Sequence, residues 1–405
     1  MGRQIRPTRV IVNLDQYNQY VTMDRDWISA EEAMDRLGVR SQTLYAYVSR
    51  GRIEARPDPA DPRRSRYRLA DVGGLAERKK RGRKASEVAA GAIAWGEPVL
   101  ASAITTVAGG RLFYRGRDAV ELSRTGTLES VARLLRGGHG VSLKSTPPAA
   151  PLAGQSLRER LFNALSTRAG IDPPARGRAA LALAVEAVGL LDLVADAAAG
   201  GPGDGLIHER IANAWGRPDA ADFIRRQLVL LADHELNAST FAARVTASTG
   251  ASLAASALSG LCALSGPLHG GMASRVINLV EESRRIGPEA TVAGRIARAG
   301  PTPGFGHPLY PDGDPRAAAL LAVFEPPREY ALLQTAVETM TGEAANVDFA
   351  VTALSARFGL PPDAPFALFA VARTAGWLAH AVEQVQTGTL IRPRARYVGE
   401  APPEL

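Results

Sequence analysis

Three short stretches hold most of the side chains able to do chemistry: Gly266-Pro267-Leu268-His269-Gly270-Gly271, Gly304-Phe305-Gly306-His307 and Asn346-Val347-Asp348-Phe349. Glycine beside a polar side chain lets the backbone approach a ligand closely. Two imidazoles can polarise two carbonyl oxygens while one carboxylate removes a carbon-bound proton. That equipment fits an enolisation followed by a carbon–carbon condensation. Each residue taken singly has a plainer reading: a histidine at a helix start is a capping group, Asp348 is a helix N-cap, and an arginine is a surface charge.

The positioning elements follow from composition and punctuation. The chain has 405 residues, 46% of them hydrophobic and 6% aromatic, which is enough for a large core in two or three domains. Its one cysteine, Cys262, lies in an Ala/Ser/Leu-rich run, cannot form an internal disulfide and reads as a buried small apolar residue. No run of about 20 uncharged apolar residues is present, and Met1 to Thr22 lacks a signal-peptide core, so the expected location is cytoplasmic. Residues 95–400 read as mostly helical: Ala179 to Ala198, Asp219 to Ala232, Thr240 to Leu264, Met272 to Arg285, Pro327 to Thr341 and Phe366 to Gln386. Strand character is confined to Thr105-Thr106-Val107 and Leu112-Phe113-Tyr114.

Charge divides the chain. Arg50 to Lys84 holds 13 Lys/Arg against five Asp/Glu, an excess larger than the net charge of +7 on the whole chain. The expected organisation is a disordered lead-in over 1–25, a small unit over 26–72, a basic linker over 73–90 and a helical body over 91–400. In the small unit Ser29 and Glu32 fit a capping box, Gly38-Val39 is a turn, and Ser41 caps a second helix. A proline-interrupted stretch from Arg52 to Leu69 follows as a two-stranded wing.

Helix, glycine turn, helix and basic wing resemble a winged helix-turn-helix of the MerR or excisionase type. The resemblance implies DNA as a partner, with Arg40, Gln42, Thr43 and Arg50 at the second helix and Arg64 and Arg66 on the wing. The alternative reading of the same residues, a solvated basic surface, stays open.

The larger part resembles the citrate synthase family. Arg111-Leu112-Phe113-Tyr114-Arg115-Gly116-Arg117-Asp118 looks like its opening hairpin, and Ala232 to Phe241 like its central helix. The three stretches above match its catalytic motifs in order, with Asp314-Pro315-Arg316-Ala317, Arg373 to Ala381 and Ile391-Arg392-Pro393-Arg394 alongside. The implied fold is mainly α, a two-domain all-α body with a small subdomain at about 267–372, forming a homodimer. The implied activity is an acyltransferase that condenses acetyl-CoA with oxaloacetate. The alternatives are 2-methylcitrate formation from propionyl-CoA and a non-catalytic, metabolite-sensing DNA-binding regulator.

By this resemblance Asp348 is the base, His269 donates to the thioester oxygen and His307 polarises the keto carbonyl. His234, Arg316, Arg373 and Arg392 hold oxaloacetate, Arg392 from the other subunit. His269 is expected at a helix N-terminus, which would keep its imidazole neutral. His380 is assigned to packing, and His139 and His208 to the surface. No metal and no cofactor is implied, acetyl-CoA being a co-substrate. The chain departs from the family at Pro308 and Pro311, where basic residues that face CoA are usual, at Met272-Ala273, and over His139 to Gly205.

Overall fold

The computed structural model describes residues 26–49, 51–76, 100–138, 156–395 and 397–400. Two compact units divide the chain, Met1–Ala101 and Ser102–Leu405. The expected lead-in, Arg50, His139 and most of the expected basic linker lie outside the described residues.

In the first unit, helices α1 (Ala30–Leu37) and α2 (Ser41–Ser49) pack with a three-stranded antiparallel sheet. Its strands are β1 (Trp27–Ile28), β2 (Ala55–Pro57) and β3 (Ser65–Arg68), in the order β1-β3-β2. Ser29 Oγ accepts the Glu32 N–H, which satisfies one of the open donors of α1. Glu32 turns to Arg36 instead of back to Ser29, so half of the capping box is present. Gly38, at φ +59°, ends the helix in the left-handed conformation that glycine adopts without strain. Ser41 is the first residue of α2, not its cap. Ala33, Leu37, Leu44, Ile53 and Tyr67 fill the small core.

The second unit opens with a β-hairpin and continues as helices. Strands β4 (Thr105–Ala108), β5 (Arg111–Tyr114) and β6 (Arg117–Asp118) form the sheet β4-β5-β6. Then come α3 (Ala119–Thr125), α4 (Leu128–Leu135), α5 (Leu157–Ile171), α6 (Ala180–Ala199), α7 (Ile207–Ala214) and α8 (Ala221–Leu231). The expected helix from Thr240 to Leu264 is two, α9 (Ala238–Ser248) and α10 (Leu253–Leu264). The break falls at Gly250, φ +87°, where the left-handed backbone cannot continue a helix. Next are α11 (Met272–Ile286), α12 (Pro288–Ala297), α13 (Pro315–Leu321), α14 (Arg328–Thr341), α15 (Val347–Arg357) and α16 (Ala364–Thr387).

Helix α16 is buried along nearly its whole length, and α6, α9 and α10 pack around it. A helix apolar on all sides belongs at the centre of a bundle. A second core gathers side chains between 276 and 353, including Val276, Leu279, Phe305, Leu333 and Phe349. Cys262 is exposed, contrary to expectation, because the buried face of α10 runs through Ala257, Gly260, Leu261 and Leu264. His208 is buried, not exposed: it sits on the packed side of α7, and burial lowers its pKa. Among the described residues no helix is long and apolar enough to cross a membrane.

Candidate active site

The hairpin sets the first histidine. The buried Tyr114 hydroxyl reaches the carbonyls of Val229 at 3.0 Å, Leu230 at 3.1 Å and Asp233 at 3.3 Å, at and just beyond the end of α8, where helical carbonyls lack partners further along the helix. Residues 232–237 are the loop from α8 to α9, not part of a helix. Glu235 takes φ +51° there, and its carboxylate accepts the Val107 N–H of β4. Asn237 then caps α9. Between these anchors His234 is buried, with Nε2 2.9 Å from the Tyr310 hydroxyl.

The turn before α11 sets the second. His269, Gly271 and Met272 are tied by backbone bonds to Gly266 and His269. A Cβ at Gly270 would lie 2.7 Å from the Leu264 carbonyl, and one at Gly271 2.8 Å from Pro267 Cα, so only glycine fits. His269 Nε2 meets Ser239 Oγ at 2.8 Å.

A two-segment clasp sets the third histidine and the carboxylate. Phe305 bridges Ala345, Gly306 N–H donates to Ala344 and Asn346 N–H to Gly304, and Asn346 Nδ2 reaches the Gly306 carbonyl. Gly304 has φ +86°, and a Cβ there would be 2.8 Å from Val276. The clasp brings the His307 loop to the first turn of α15, where Asn346 is the cap and Asp348 the second residue. Asp348 is therefore not the N-cap of the plainer reading. Asp314 fastens the assembly: Oδ1 accepts from the Arg316 N–H and Nε, and Oδ2 from Arg316 Nη2 and the Val347 N–H.

The electrostatics separate the groups by role. Burial, reinforced by Arg373, pulls His269 down to about 4. Burial, with Arg316, does the same for His307. Burial first, then Arg316, Arg373, His307 and His269, hold His234 well below the ordinary value. The His234 and His307 rings meet edge to face at 5.4 Å, and Phe369 is flanked by His269 at 6.0 Å and by the Arg373 guanidinium at 4.8 Å. All three imidazoles are neutral at pH 7, and burial, not a helix N-terminus, leads the cause at His269. His307 Nδ1 accepts the Leu309 N–H at 3.2 Å, so its proton sits on Nε2. Burial raises Asp348 to about 6, although Arg316 opposes it and the helix N-terminus favours its charge.

The arginines differ. Burial would lower Arg316, but Asp314 holds it above the ordinary value. The Nε and Nη2 edge of Arg316 is already spent on Asp314, so the full fork expected for a substrate carboxylate is reduced to Nη1. Arg373 is buried on α16, donates from Nε to the Leu231 carbonyl at 2.9 Å and is lowered to about 10 by burial. No carboxylate lies within ion-pair distance of it among the described residues. Arg392 is exposed, and among the described residues no hydrogen bond or ion pair joins it to the pocket.

Four contributors escaped the sequence reading: Ser239, Tyr310, Asp314 and Trp377. Asp314 stands within a motif visible in the sequence, but its double capping depends on a contact 33 residues away. His380 is buried as expected, yet it is hydrogen-bonded to Asp233 at 3.2 Å and Arg244 at 3.0 Å, more than a packing residue. Among the described residues no group of His, Cys, Asp and Glu could hold a metal ion. A separate depression of about 530 Å³ is lined by Glu281, Glu282, Arg284 and Arg295, whose charges pair with one another or with Glu329.

In the N-terminal unit Arg40, Gln42 and Thr43 are exposed at α2. The wing arginines are not free: Arg64 pairs with Asp61, Arg66 with Asp58 and Arg68 with Glu54. Arg64 lies in the turn before β3, so only Arg66 and Arg68 alternate on the strand.

Residues 201–394 match the family model described as citrate synthase, C-terminal domain. The chain is 40% identical over 209 residues to "Putative citrate synthase 2" of Mycobacterium tuberculosis, 48% of this chain and 56% of that protein. It is 41% identical over 185 residues to the citrate synthase of Haloferax volcanii, 43% and 49% of the two chains. It thus spans about half the length of the curated relatives it matches. The crystal structure of citrate synthase from Thermotoga maritima superposes with a TM-score of 0.62 at 28% identity, covering 76% of this chain and 96% of that one. The mainly helical unit has the citrate synthase fold.

Proposed function

We propose that the helical unit condenses an acyl-CoA, acetyl-CoA first, with oxaloacetate, and releases CoA. The observation that carries the reading is geometric: His234 lies against His307, Phe369 is flanked by His269 and Arg373, and Asp314 ties Arg316 to the first turn of α15, where Asp348 sits and burial raises its carboxyl to about 6. A base with a pKa near 6 is ionised at pH 7 yet basic enough to take an α-proton. Asp348 takes that proton from the thioester methyl. The C–H pair becomes the enol C=C, and the carbonyl pair moves to the thioester oxygen, where His269 donates. The enol carbon attacks the keto carbon, the keto oxygen takes the proton of His307 Nε2–H, and His307 regains one from the proton that Asp348 took, so carboxylate and imidazole both return to their starting states. Water then cleaves the thioester to give citrate and free CoA thiol. Arg373, Arg316 through Nη1, and His234 hold the oxo acid. Arg373 is the strongest support for a dianion, because a buried cation without a carboxylate partner favours a ligand that brings one.

Propionyl-CoA differs by one methylene, worth only about 1–3 kcal/mol in an apolar pocket, so 2-methylcitrate formation belongs to the same reading. The chain would act as a homodimer, with Arg392 completing the partner's pocket. The test is thiol release with oxaloacetate and each acyl-CoA. Release that depends on Asp348 supports the reading; no release with any donor removes it.

A second reading concerns the N-terminal unit as a winged helix-turn-helix. Its support is the exposed Arg40 just before α2, and Gln42 and Thr43 in its first turn, in the same unit as the β2–β3 hairpin. Ion pairs at the hairpin weaken a phosphate role for Arg64 and Arg66. A salt series decides: sequence-dependent DNA binding that survives physiological salt supports it, and binding that vanishes with salt for every sequence does not.

A further inference from the structure

Ser239 Oγ stands where three groups meet: Asn237 Oδ1 at 2.7 Å, His269 Nε2 at 2.8 Å and Trp377 Nε1 at 3.1 Å. A hydroxyl has one proton to donate and two lone pairs. The indole N–H of Trp377 can only donate. Asn237 cannot be flipped: Oδ1 accepts the Ser239 and Thr240 N–H groups at 3.1 and 3.2 Å, while Nδ2 donates to the His234 carbonyl and Thr240 Oγ1, both at 3.1 Å. Its oxygen therefore receives the Ser239 proton. The remaining lone pair faces His269, which must donate from Nε2 and leave Nδ1 bare. The arrangement is built into the core: Ser239 and Trp377 are fully buried, and a Cβ at Gly260 would come within 2.6 Å of the indole.

The condensation proposed above asks for the other tautomer. With Nε2 held by Ser239, only Nδ1 is left to donate to a thioester oxygen. We propose that Ser239, oriented by Asn237 and Trp377, is a positioning residue that switches His269 between tautomers: Nε2–H in the free protein, Nδ1–H when a thioester fills the cleft. In the switch the Ser239 hydroxyl turns its proton from Asn237 to His269 Nε2. Asn237 Oδ1 keeps its two backbone donors. Nε2 gives up a proton to water and Nδ1 takes one, so the proton count of the ring is unchanged. This role rests on the condensation reading, but the resting tautomer does not.

The experiment is nitrogen NMR of the full chain with labelled histidine, His269 being assigned from the peaks lost in His269→Gln. The Asp348→Ala variant holds both substrates unreacted. Free, it should show Nε2 protonated and Nδ1 bare. With oxaloacetate and acetyl-CoA bound, the signature should invert. Adding Ser239→Ala should abolish the inversion, because no donor then faces Nε2, and Ser239→Thr should restore it. An Nδ1–H signature in the free protein overturns the inference. So does a bound form that keeps Nε2–H, or an inversion that survives Ser239→Ala. If calorimetry finds that neither substrate binds, the condensation reading and the switch both fall, while the free spectrum still decides the resting tautomer.

Discussion

Under the proposed condensation, Asp348 and Arg373 carry the chemistry at the scale of single residues. Asp348→Ala should lower kcat by orders of magnitude while oxaloacetate binding, read by calorimetry, stays intact, since the carboxylate moves a proton and does not hold the oxo acid. Equal loss of binding would make Asp348 structural. Arg373→Leu should weaken oxaloacetate binding by a few kcal/mol, because a substrate carboxylate would lose its charge-assisted donor in a buried site; an unchanged KM for oxaloacetate contradicts this. The pH dependence has a definite sign. Asp348 works only ionised, so kcat/KM should fall about tenfold per unit as pH drops below its pKa of about 6. His269 and His307, lowered to about 4, stay neutral through that window. Stability behaves differently at the same residues. The histidines bind protons less readily folded than unfolded, so the stability they contribute is complete above the unfolded value and is lost progressively as pH falls from there through about 4. Asp348 runs the other way, since its raised value favours the folded state as pH falls through about 6. Asp348, His269 and His307 were legible in the sequence because each sits in a distinctive motif. Ser239 was not, because a serine two residues into a helix announces nothing until Trp377, 138 residues later, donates to it.

The elements matter because they bring distant motifs to one place. The clasp between 304–306 and 344–346 joins the His307 loop to α15, and Asp314 bolts both to α13. Removing that carboxylate strands a buried arginine and opens two helix caps. Asp314→Ala should therefore cost about 3–5 kcal/mol in chemical denaturation and raise the KM for oxaloacetate. A loss below about 1 kcal/mol would mean that the pair is dispensable. Helix existence was readable from apolar periodicity and from Gly/Pro punctuation. The split of α9 from α10 was not, because Gly250 lies in an Ala/Ser/Thr-rich run that continues a helical pattern on both sides. Only the backbone shows that it takes the left-handed conformation. The proline pair on the loop after His307 has its own expected outcome. If Pro308 and Pro311 replace cations that meet CoA phosphate, Pro311→Lys should lower the KM for acetyl-CoA, and more so at low salt, since an exposed ion pair is worth about 0.2–1 kcal/mol and is screened. No change at any salt would mean that other residues hold the phosphates.

For the whole molecule, the sequence separated a small basic-flanked unit from a helical body, and the structure divides the chain at Ala101. What charge counting could not tell is that the wing arginines are matched by nearby acids, because Arg66–Asp58 and Arg68–Glu54 form only when the hairpin folds. Arg392 raises the question of assembly. If it completes a partner's pocket, mixing inactive Arg392→Leu and Asp348→Ala chains should restore about a quarter of the wild-type rate, one working site in the half of dimers that are mixed. No recovery on mixing would place Arg392 outside the site. The roles given to Asp348, Arg373 and Arg392 rest on the pocket being a condensing one, and one measurement reaches that claim most directly. Thiol release from acetyl-CoA in the presence of oxaloacetate should be rapid with the purified protein, absent without oxaloacetate, and reduced by orders of magnitude in Asp348→Ala. A protein that releases no thiol, or one whose release is the same in Asp348→Ala, would contradict the account.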